Sequence, residues 1–356
     1  MNKSINKIQI KNFKSIKSQV IDGCKRINVF IGSPNVGKSN ILEALGLYSI
    51  LLTSKKEFFY FDEICRVKHL SELYFNQNYR NDIEVKLNNR FSLSGNNGQN
   101  TSILNFEFSD SDDLNHFAGE FKSANPPYSI PLSEQDNVHS ASISYRIYSE
   151  KIENWPINPI KKYHFVSNSP VHLINDYPLS IPDGKNLLDV LQREAELRKG
   201  LAKLLAPYGL KLLLDKSAES IMLIKELDDS SLLRIPYHQV ADTLRRLFFY
   251  KTAIASNKKA VLLFEEPEAH MFPPYIGNFT ADIIKDKNAN QYFLTTHSPF
   301  VINDFLEDAM EDLSVYVVYY KNGETKINHL TKQQLHEIYQ FGVDIFLNIE
   351  DYLNNG

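Results

Sequence analysis

The sequence predicts an α/β protein with a mostly parallel core sheet, helices on both faces and an antiparallel sheet near the N-terminus. Three stretches carry that prediction. A short apolar run, Ile27-Asn28-Val29-Phe30-Ile31, passes through a glycine loop into an amphipathic segment at residues 41–48. Two further runs, Ala260-Val261-Leu262-Leu263-Phe264 and Gln291-Tyr292-Phe293-Leu294-Thr295, read as strands buried on both faces.

Taken in order, residues 7–20 alternate apolar and polar side chains, which predicts a half-buried strand or hairpin. The loop Gly32-Ser33-Pro34-Asn35-Val36-Gly37-Lys38-Ser39 fits G-x-x-x-x-G-K-S, and strand, glycine loop, helix is the context a phosphate-binding loop requires. Backbone N–H groups of such a loop face the anion, and the helix dipole adds partial positive charge. Gly32 and Gly37 admit angles and approaches that a Cβ obstructs. Lys38 then reaches the β- and γ-phosphates, and the Ser39 hydroxyl ligates Mg2+. Ser33, Pro34, Asn35, Val36 and Asn40 complete the expected nucleotide contacts. The competing reading is a chance glycine turn.

Residues 55–80 are expected as irregular helix and loop, and residues 83–87 alternate as a strand. Residues 94–100 read as a turn or mobile loop, residues 103–108 and 141–148 as strands, and residues 109–113 and Pro126-Pro127 as surface connections. Leucines from 187 to 205 have helical spacing and predict one helix ending near Pro207. Strands follow at 210–214 and 221–224, a helix at 244–254 and a third buried strand at 315–319. A closing helix spans 331–341, with Thr331 and Gln334 in capping-box spacing. The expected organisation is 1–110, 111–235 as a mixed insertion, and 236–356.

Bulk composition narrows the class. Of 356 residues, 43% are hydrophobic and 23% charged, which is globular. A net charge of −4 means that nucleic-acid binding needs a local basic patch. Cys24 and Cys65 form no metal-ligand pattern and are expected as reduced thiols of a cytoplasmic protein. The N-terminus lacks the apolar core of a signal peptide, and no run approaches about 20 apolar residues, so no membrane partner is expected. Lys161, Lys162, Arg193, Arg198, Arg245 and Arg246 are expected on a solvated face.

The strand at 260–264 ends in Glu265-Glu266-Pro267-Glu268-Ala269-His270. Acids at the C-terminal end of such a strand border the crevice where open α/β sheets hold ligands. The first acid suits a Mg2+ water and the second an attacking water; the alternative is a solvated acidic turn. The strand at 291–295 leads into Thr296-His297-Ser298-Pro299. His297 suits a hydrogen bond to a γ-phosphate, while Ser298 and Pro299 read as N-cap and N1 of a helix.

Together, the glycine loop, the Glu-Glu-Pro-Glu-Ala-His run and Thr-Thr-His-Ser-Pro resemble the ABC-type ATPases of the SMC, RecF and OLD group, where they are Walker A, Walker B and the H-loop. Ile10-Lys11-Asn12-Phe13-Lys14-Ser15 resembles the group's first strand, whose basic residue lies near the adenine; this puts Lys14 among the nucleotide contacts. The resemblance implies the P-loop NTPase fold of an ABC-type head, with ATP and Mg2+ bound. Lys38 would grip phosphate, Ser39 and Glu265 ligate Mg2+, Glu266 act as catalytic base and His297 sense the γ-phosphate. In the group, two heads clasp two ATP molecules head to tail, which implies a homodimer or higher homo-oligomer. The signature segment from the opposite head aligns with residues 238–246, where Asp242 takes the place of a glycine or adjacent acid and the usual serine is missing. That departure predicts weakened contacts and slow turnover. Gln77 is the candidate Q-loop metal ligand; the alternative is a surface-loop glutamine.

The coiled coil of SMC proteins and the metal nuclease (Toprim) motifs of OLD proteins are not found in the sequence, so nuclease or toxin activity is expected from a separate effector chain. Compact heads of this kind resemble AAA family ATPases of bacterial anti-phage defence. Three functions follow as expectations: an ATPase whose nucleotide-dependent oligomer controls an effector, a RecF-like DNA-binding repair ATPase, and a nucleotide-stabilised scaffold with little turnover.

Overall fold

The expected N-terminal hairpin forms: β1 (Ile8–Phe13) and β2 (Ile16–Ile21) pair antiparallel and turn through Lys14 and Ser15. The computed structural model describes residues 3–51, 64–67, 69–96, 103–110, 116–123, 143–147, 158–167, 169–228 and 230–353. They divide into two compact units, residues 1–160 with 312–356, and residues 161–311.

In the first unit, β1 also pairs with β4 (Ile83–Leu87), and the sheet continues antiparallel through β5 (Phe91–Asn96), β6 (Ile103–Asp110), β7 (His116–Ser123) and β8 (Ile143–Ile147). Alternation decides which face is buried: Ile83, Val85 and Leu87 point inward, with Glu84 and Lys86 between them forming an ion pair. Helix α1 (Lys38–Leu51) follows β3 (Ile27–Ile31), all five of whose residues are buried. Its buried Tyr48 donates a hydrogen bond to the Val85 carbonyl of the antiparallel sheet at 2.7 Å.

Two expectations change here. Ser94 to Asn96 belong to β5, because Gly95 continues the inward face of Phe91 and Leu93 and pairs with Ile83; residues 97–100 lie outside the described residues. Ser109 and Asp110 extend β6, while residues 111–113 and Pro126-Pro127 lie outside the described residues. Strand β7 was not singled out from sequence. Of residues 55–80, those at 55–63 and Lys68 are outside the described set; the rest hold short 3-10 turns at Leu70–Leu73 and Phe75–Gln77.

The second unit begins at Lys161, within β9 (Ile160–Tyr163), and continues with α2 (Leu187–Arg193) and α3 (Ala195–Leu205). The single helix expected over 187–205 is thus two, broken at Glu194, which has φ −95° and ψ 89°. Carbonyls freed at the break accept from Arg198, which donates to Leu191 O and Gln192 O at 2.6 Å each. An antiparallel sheet of β10 (Leu210–Asp215), β11 (Ser220–Glu226) and β12 (Leu232–Pro236) follows. Then come α4 (Asp242–Ser256), β13 (Val261–Glu265), α5 (Pro273–Ile284), β14 (Gln291–Thr295) and α6 (Pro299–Asp308). Strands β13 and β14 are parallel, in register from Val261 opposite Gln291 to Glu265 opposite Thr295. Tyr163, Phe249, Tyr250, Phe264, Phe279 and Tyr292 form one edge-packed aromatic core around β13.

The chain then returns to the first unit. Strand β15 (Leu313–Lys321) runs parallel to β3, and β16 (Glu324–His329) pairs antiparallel with β15. Helix α7 (Lys332–Phe341) carries the expected capping box of Thr331 and Gln334. The segment expected as a unit over 236–356 is therefore shared between the two units, because β15 finds its partner in β3. Among the described residues, no helix is long and apolar enough to cross a membrane.

Candidate nucleotide site

The phosphate loop is closed by its neighbours. At Gly32, φ +154°, a Cβ would stand 2.1 Å from the Val318 carbonyl oxygen on β15. At Gly37, φ +98°, it would meet the Thr325 hydroxyl at 2.2 Å and the Ser15 hydroxyl at 2.6 Å. No side chain fits at either place. Lys38 opens α1, is only 6% exposed, and donates from Nζ to Gly32 O and Ser33 O at 2.9 Å each. A buried ammonium thus sits on the loop's own carbonyls. Ser33, Pro34 and Asn35 are exposed, Val36 is buried, and Gly37, Ser39 and Asn40 are half-buried. Asn35 has φ +61°, a conformation that asparagine tolerates better than most residues.

Three other predicted contacts have structural partners. Lys14 pairs with the fully buried Glu43 and donates to the Cys65 carbonyl. Glu43 also binds Arg66 at 2.7 Å, so it joins two cations. Gln77 lies on an exposed turn, with its N–H on Tyr74 O at 2.9 Å. Asp242 is the first residue of α4 and accepts from Ser167 Oγ at 2.9 Å, Arg246 Nε at 2.9 Å and Arg245 Nη2 at 3.2 Å. Burial alone would raise its pKa, but the hydrogen bonds from Arg246 and Ser167 and the charges of both arginines hold it below the usual carboxylate value.

In the second unit, the parallel register brings the ends of β13 and β14 side by side. Glu265 closes β13. Its carboxylate lies 3.9 Å from Lys162 Nζ, and Lys162 is 2% exposed. Glu266 adopts φ +41°, unusual for a residue with a Cβ, and its N–H donates to Thr295 O at 3.0 Å. Its Oε1 is 3.3 Å from His297 Nε2, and the two side chains stay 43% and 37% exposed. Glu266 and His297 therefore face one another across the strand ends. Ser298 and Pro299 occupy the N-cap and N1 of α6 as expected, without a capping bond from the serine side chain.

Several residues at these elements have roles that the sequence reading did not give them. Glu268 is buried, and its Oε1 accepts from Thr296 Oγ1 at 2.6 Å and from His297 N at 3.1 Å. Its Oε2 is buried without a hydrogen bond. Burial raises its pKa, partly offset by those hydrogen bonds. Glu268 lay inside the Walker B run, but only the fold turns it onto the H-loop. Lys162 was expected in solvent and is instead buried beside Glu265. Lys161 is half-buried, with burial lowering its pKa to about 8. Arg245 and Arg246 also leave the solvated face: both hold Asp242, Arg245 is buried, and Arg246 stacks over Phe165 at 4.8 Å. Ser15 and Thr325 complete the set at the phosphate loop. Nothing in the local sequence around Thr325 signals its role.

The chain resembles known proteins in sequence and in fold. The family described as "AAA domain, putative AbiEii toxin, Type IV TA system" matches residues 27–303, most of the chain. An ATP/GTP phosphatase of Helicobacter pylori is 51% identical over 41 residues, 12% of this chain and 11% of that protein. An uncharacterised protein of Methanocaldococcus jannaschii is 30% identical over 132 residues, 33% of this chain and 59% of that protein. The chain thus spans about a tenth and under two thirds of these curated relatives. Among solved structures, an SMC head bound to the C-winged helix domain of ScpA has a TM-score of 0.50 at 17% identity, covering 94% of this chain and 99% of that one. An SMC head with an extended coiled coil, bound to the C-terminal domain of ScpA from Pyrococcus furiosus, has a TM-score of 0.50 at 14% identity, covering 95% and 98%. The chain belongs to the AbiEii-type AAA domain family, and its fold is that of a P-loop, ABC-type ATPase head of the SMC kind.

Proposed function

We propose that this protein binds ATP with Mg2+ and hydrolyses it slowly, and that a homodimer or higher oligomer of ATP-sandwiched heads controls a separate effector, a nuclease or toxin, in bacterial anti-phage defence. The observation that carries the hydrolytic reading is the Glu266–His297 contact of 3.3 Å at the ends of two parallel strands. The family matched over residues 27–303 spans both the phosphate loop and that pair in sequence.

The residues present fit a nucleoside triphosphate and its metal. The loop excludes any Cβ at Gly32 and Gly37 and carries a buried ammonium whose present acceptors are carbonyl oxygens. In this reading Ser33 to Asn40 hold the phosphates, with Lys38 neutralising their charge, and Ser39 and Glu265 hold Mg2+. Gln77 is proposed as a further metal ligand and Lys14 as the contact nearest the base. A Mg2+ held by Ser39 and Glu265 would supply charge neutralisation for phosphoryl transfer. Glu266 orients and deprotonates the attacking water. His297 donates to the γ-phosphate once Glu266 turns to water. Glu268 fixes the backbone from which His297 projects.

Slow turnover is supported by Asp242, whose carboxylate is committed to Ser167, Arg245 and Arg246 and is poorly free to contact a second head. A separate effector is supported by the family's toxin-system description, and a separate binding chain by the SMC heads described bound to ScpA domains. We propose a cytoplasmic location for the same assembly. The DNA-binding alternative gains little support, because Arg245 and Arg246 are spent on internal partners. The test is the mass of the purified Glu266→Gln chain with and without ATP and Mg2+. A nucleotide-dependent rise to a dimer or larger species is expected, and a monomer in both conditions overturns the assembly reading.

A further inference from the structure

The phosphate loop is tied to two places that lie outside the family match at 27–303: the first hairpin and the last strand. Thr325 on β16 is fully buried. Its hydroxyl lies 2.8 Å from Val36 O and 2.6 Å from Ser15 Oγ, and Asn40 Nδ2 lies 2.6 Å from Ser15 Oγ. The direction of these bonds is determined by proton count. Val36 O can only accept, so Thr325 spends its single proton there. The Ser15 hydroxyl must then donate to Thr325 and accept from the Asn40 amide. The result is one directed chain, Asn40 to Ser15 to Thr325 to the Val36 carbonyl. The backbone adds a second tie, from Thr325 N to Ser15 O at 2.9 Å.

The bond to Val36 has a consequence at the next residue. In a trans planar peptide the C=O and the N–H point to opposite sides. With the Val36 oxygen held on Thr325, the Gly37 N–H faces away from β16. A peptide followed by glycine flips at little steric cost, because glycine accepts φ of either sign. Flipping would present a carbonyl oxygen where an N–H serves an anion. Gly37 is demanded here by the close approach of these same two hydroxyls, so the loop needs a lock for the conformation its glycine leaves loose.

We propose that Thr325, with Ser15 behind it, is a positioning residue for nucleotide binding: it locks the Val36–Gly37 peptide so that the Gly37 N–H is available to the ATP phosphates. This rests on the ATP-binding reading above.

The test compares full-length wild type, Thr325→Val, Thr325→Ser and Ser15→Ala for ATP affinity in Mg2+, for melting temperature without nucleotide, and for amide hydrogen exchange of the loop peptide with ATP. Thr325→Val keeps the volume and removes the hydroxyl. It is expected to weaken ATP binding about tenfold or more, through loss of the bond that orients Val36 O and of the bond from Ser15. Its melting temperature should fall by a few degrees, because Val36 O and Ser15 Oγ lose a buried partner, and ATP should no longer protect the loop amides. Thr325→Ser should stay within about threefold of wild type, since the donor is kept. Ser15→Ala should fall between. Equal ATP affinity in wild type and Thr325→Val overturns the inference, as does equal loss in the Val and Ser variants. If Thr325→Val does not fold, Ser15→Ala decides, and wild-type affinity and loop protection in that variant overturn the inference. A wild type that binds no ATP overturns the nucleotide reading itself, which distinguishes the two failures.

Discussion

The phosphate loop and the paired strand ends are built in opposite ways. The loop is internally satisfied: Lys38 is buried on two carbonyls, the Val36 oxygen is held by Thr325, and both glycines are packed against other chain segments. The strand ends are half open, with Glu266 at a left-handed backbone angle and its carboxylate beside an exposed histidine. A site for binding an anion gains from rigidity, since each N–H must already point at the ligand. A site that activates water must admit it and must change partners during the reaction. The contrast teaches that substitution in the loop should damage affinity and substitution at the strand ends should damage turnover.

The largest effect should come from Lys38→Ala. Removing the cation from the loop should weaken ATP binding by roughly a hundredfold or more, read by calorimetric titration, through loss of charge-assisted contacts. Next, Glu266→Gln should lower steady-state hydrolysis by about 10² to 10⁴ while leaving ATP affinity within a few fold. If Glu266→Gln instead failed to bind ATP, the division between the two regions would collapse.

Glu268 sharpens the comparison, because it supports the open half from beneath. Glu268→Ala removes the acceptor for Thr296 Oγ1 and His297 N and should reduce kcat with little change in KM. Glu268→Gln keeps an acceptor oxygen for Thr296 Oγ1 and His297 N and removes the titratable proton, so its kcat should stay closer to wild type than that of Glu268→Ala. The pH dependence has a definite sign. The folded state raises this carboxyl's pKa, so it binds the proton more tightly than the unfolded chain, and stability rises as pH falls through the folded value. That slope should vanish in Glu268→Gln.

Asp242 is expected to give the smallest effect. Its folded pKa is depressed, so its contribution is present above the ordinary aspartate value and lost as pH falls through the folded one. Asp242→Asn should cost about 1 kcal/mol at neutral pH and flatten the acid limb of the melting curve. Fast hydrolysis unaffected by that substitution would remove the link drawn between Asp242 and slow turnover.

Much of this contrast was legible before the fold was known, and the residues explain which part. The loop, both core strands and the capped α7 are local: fixed spacing, a buried apolar run and a Thr-x-x-Gln box each announce themselves within a dozen positions. What escaped depends on partners far away along the chain. Thr325 looks like any polar strand residue until β16 is laid on β15 beside the loop. Glu268 reads as part of an acidic turn until its side chain turns onto Thr296. Lys162 and Arg245 carry charges that composition assigns to solvent, and each is buried with a carboxylate opposite, Glu265 and Asp242, with Ser167 as a further partner of Arg245. The split at Glu194 is a case where leucine spacing continues across a break that Arg198 stabilises.

The central proposal is that the loop and the strand ends serve one triphosphate. A double-mutant cycle in Mg2+·ATP affinity tests it most directly, using Ser39→Ala and His297→Ala in the Glu266→Gln background to suppress hydrolysis. Groups on a shared ligand are coupled, so the double variant should deviate from the sum of the single changes by at least about 0.5 kcal/mol. Strict additivity of the two substitutions would contradict the proposal.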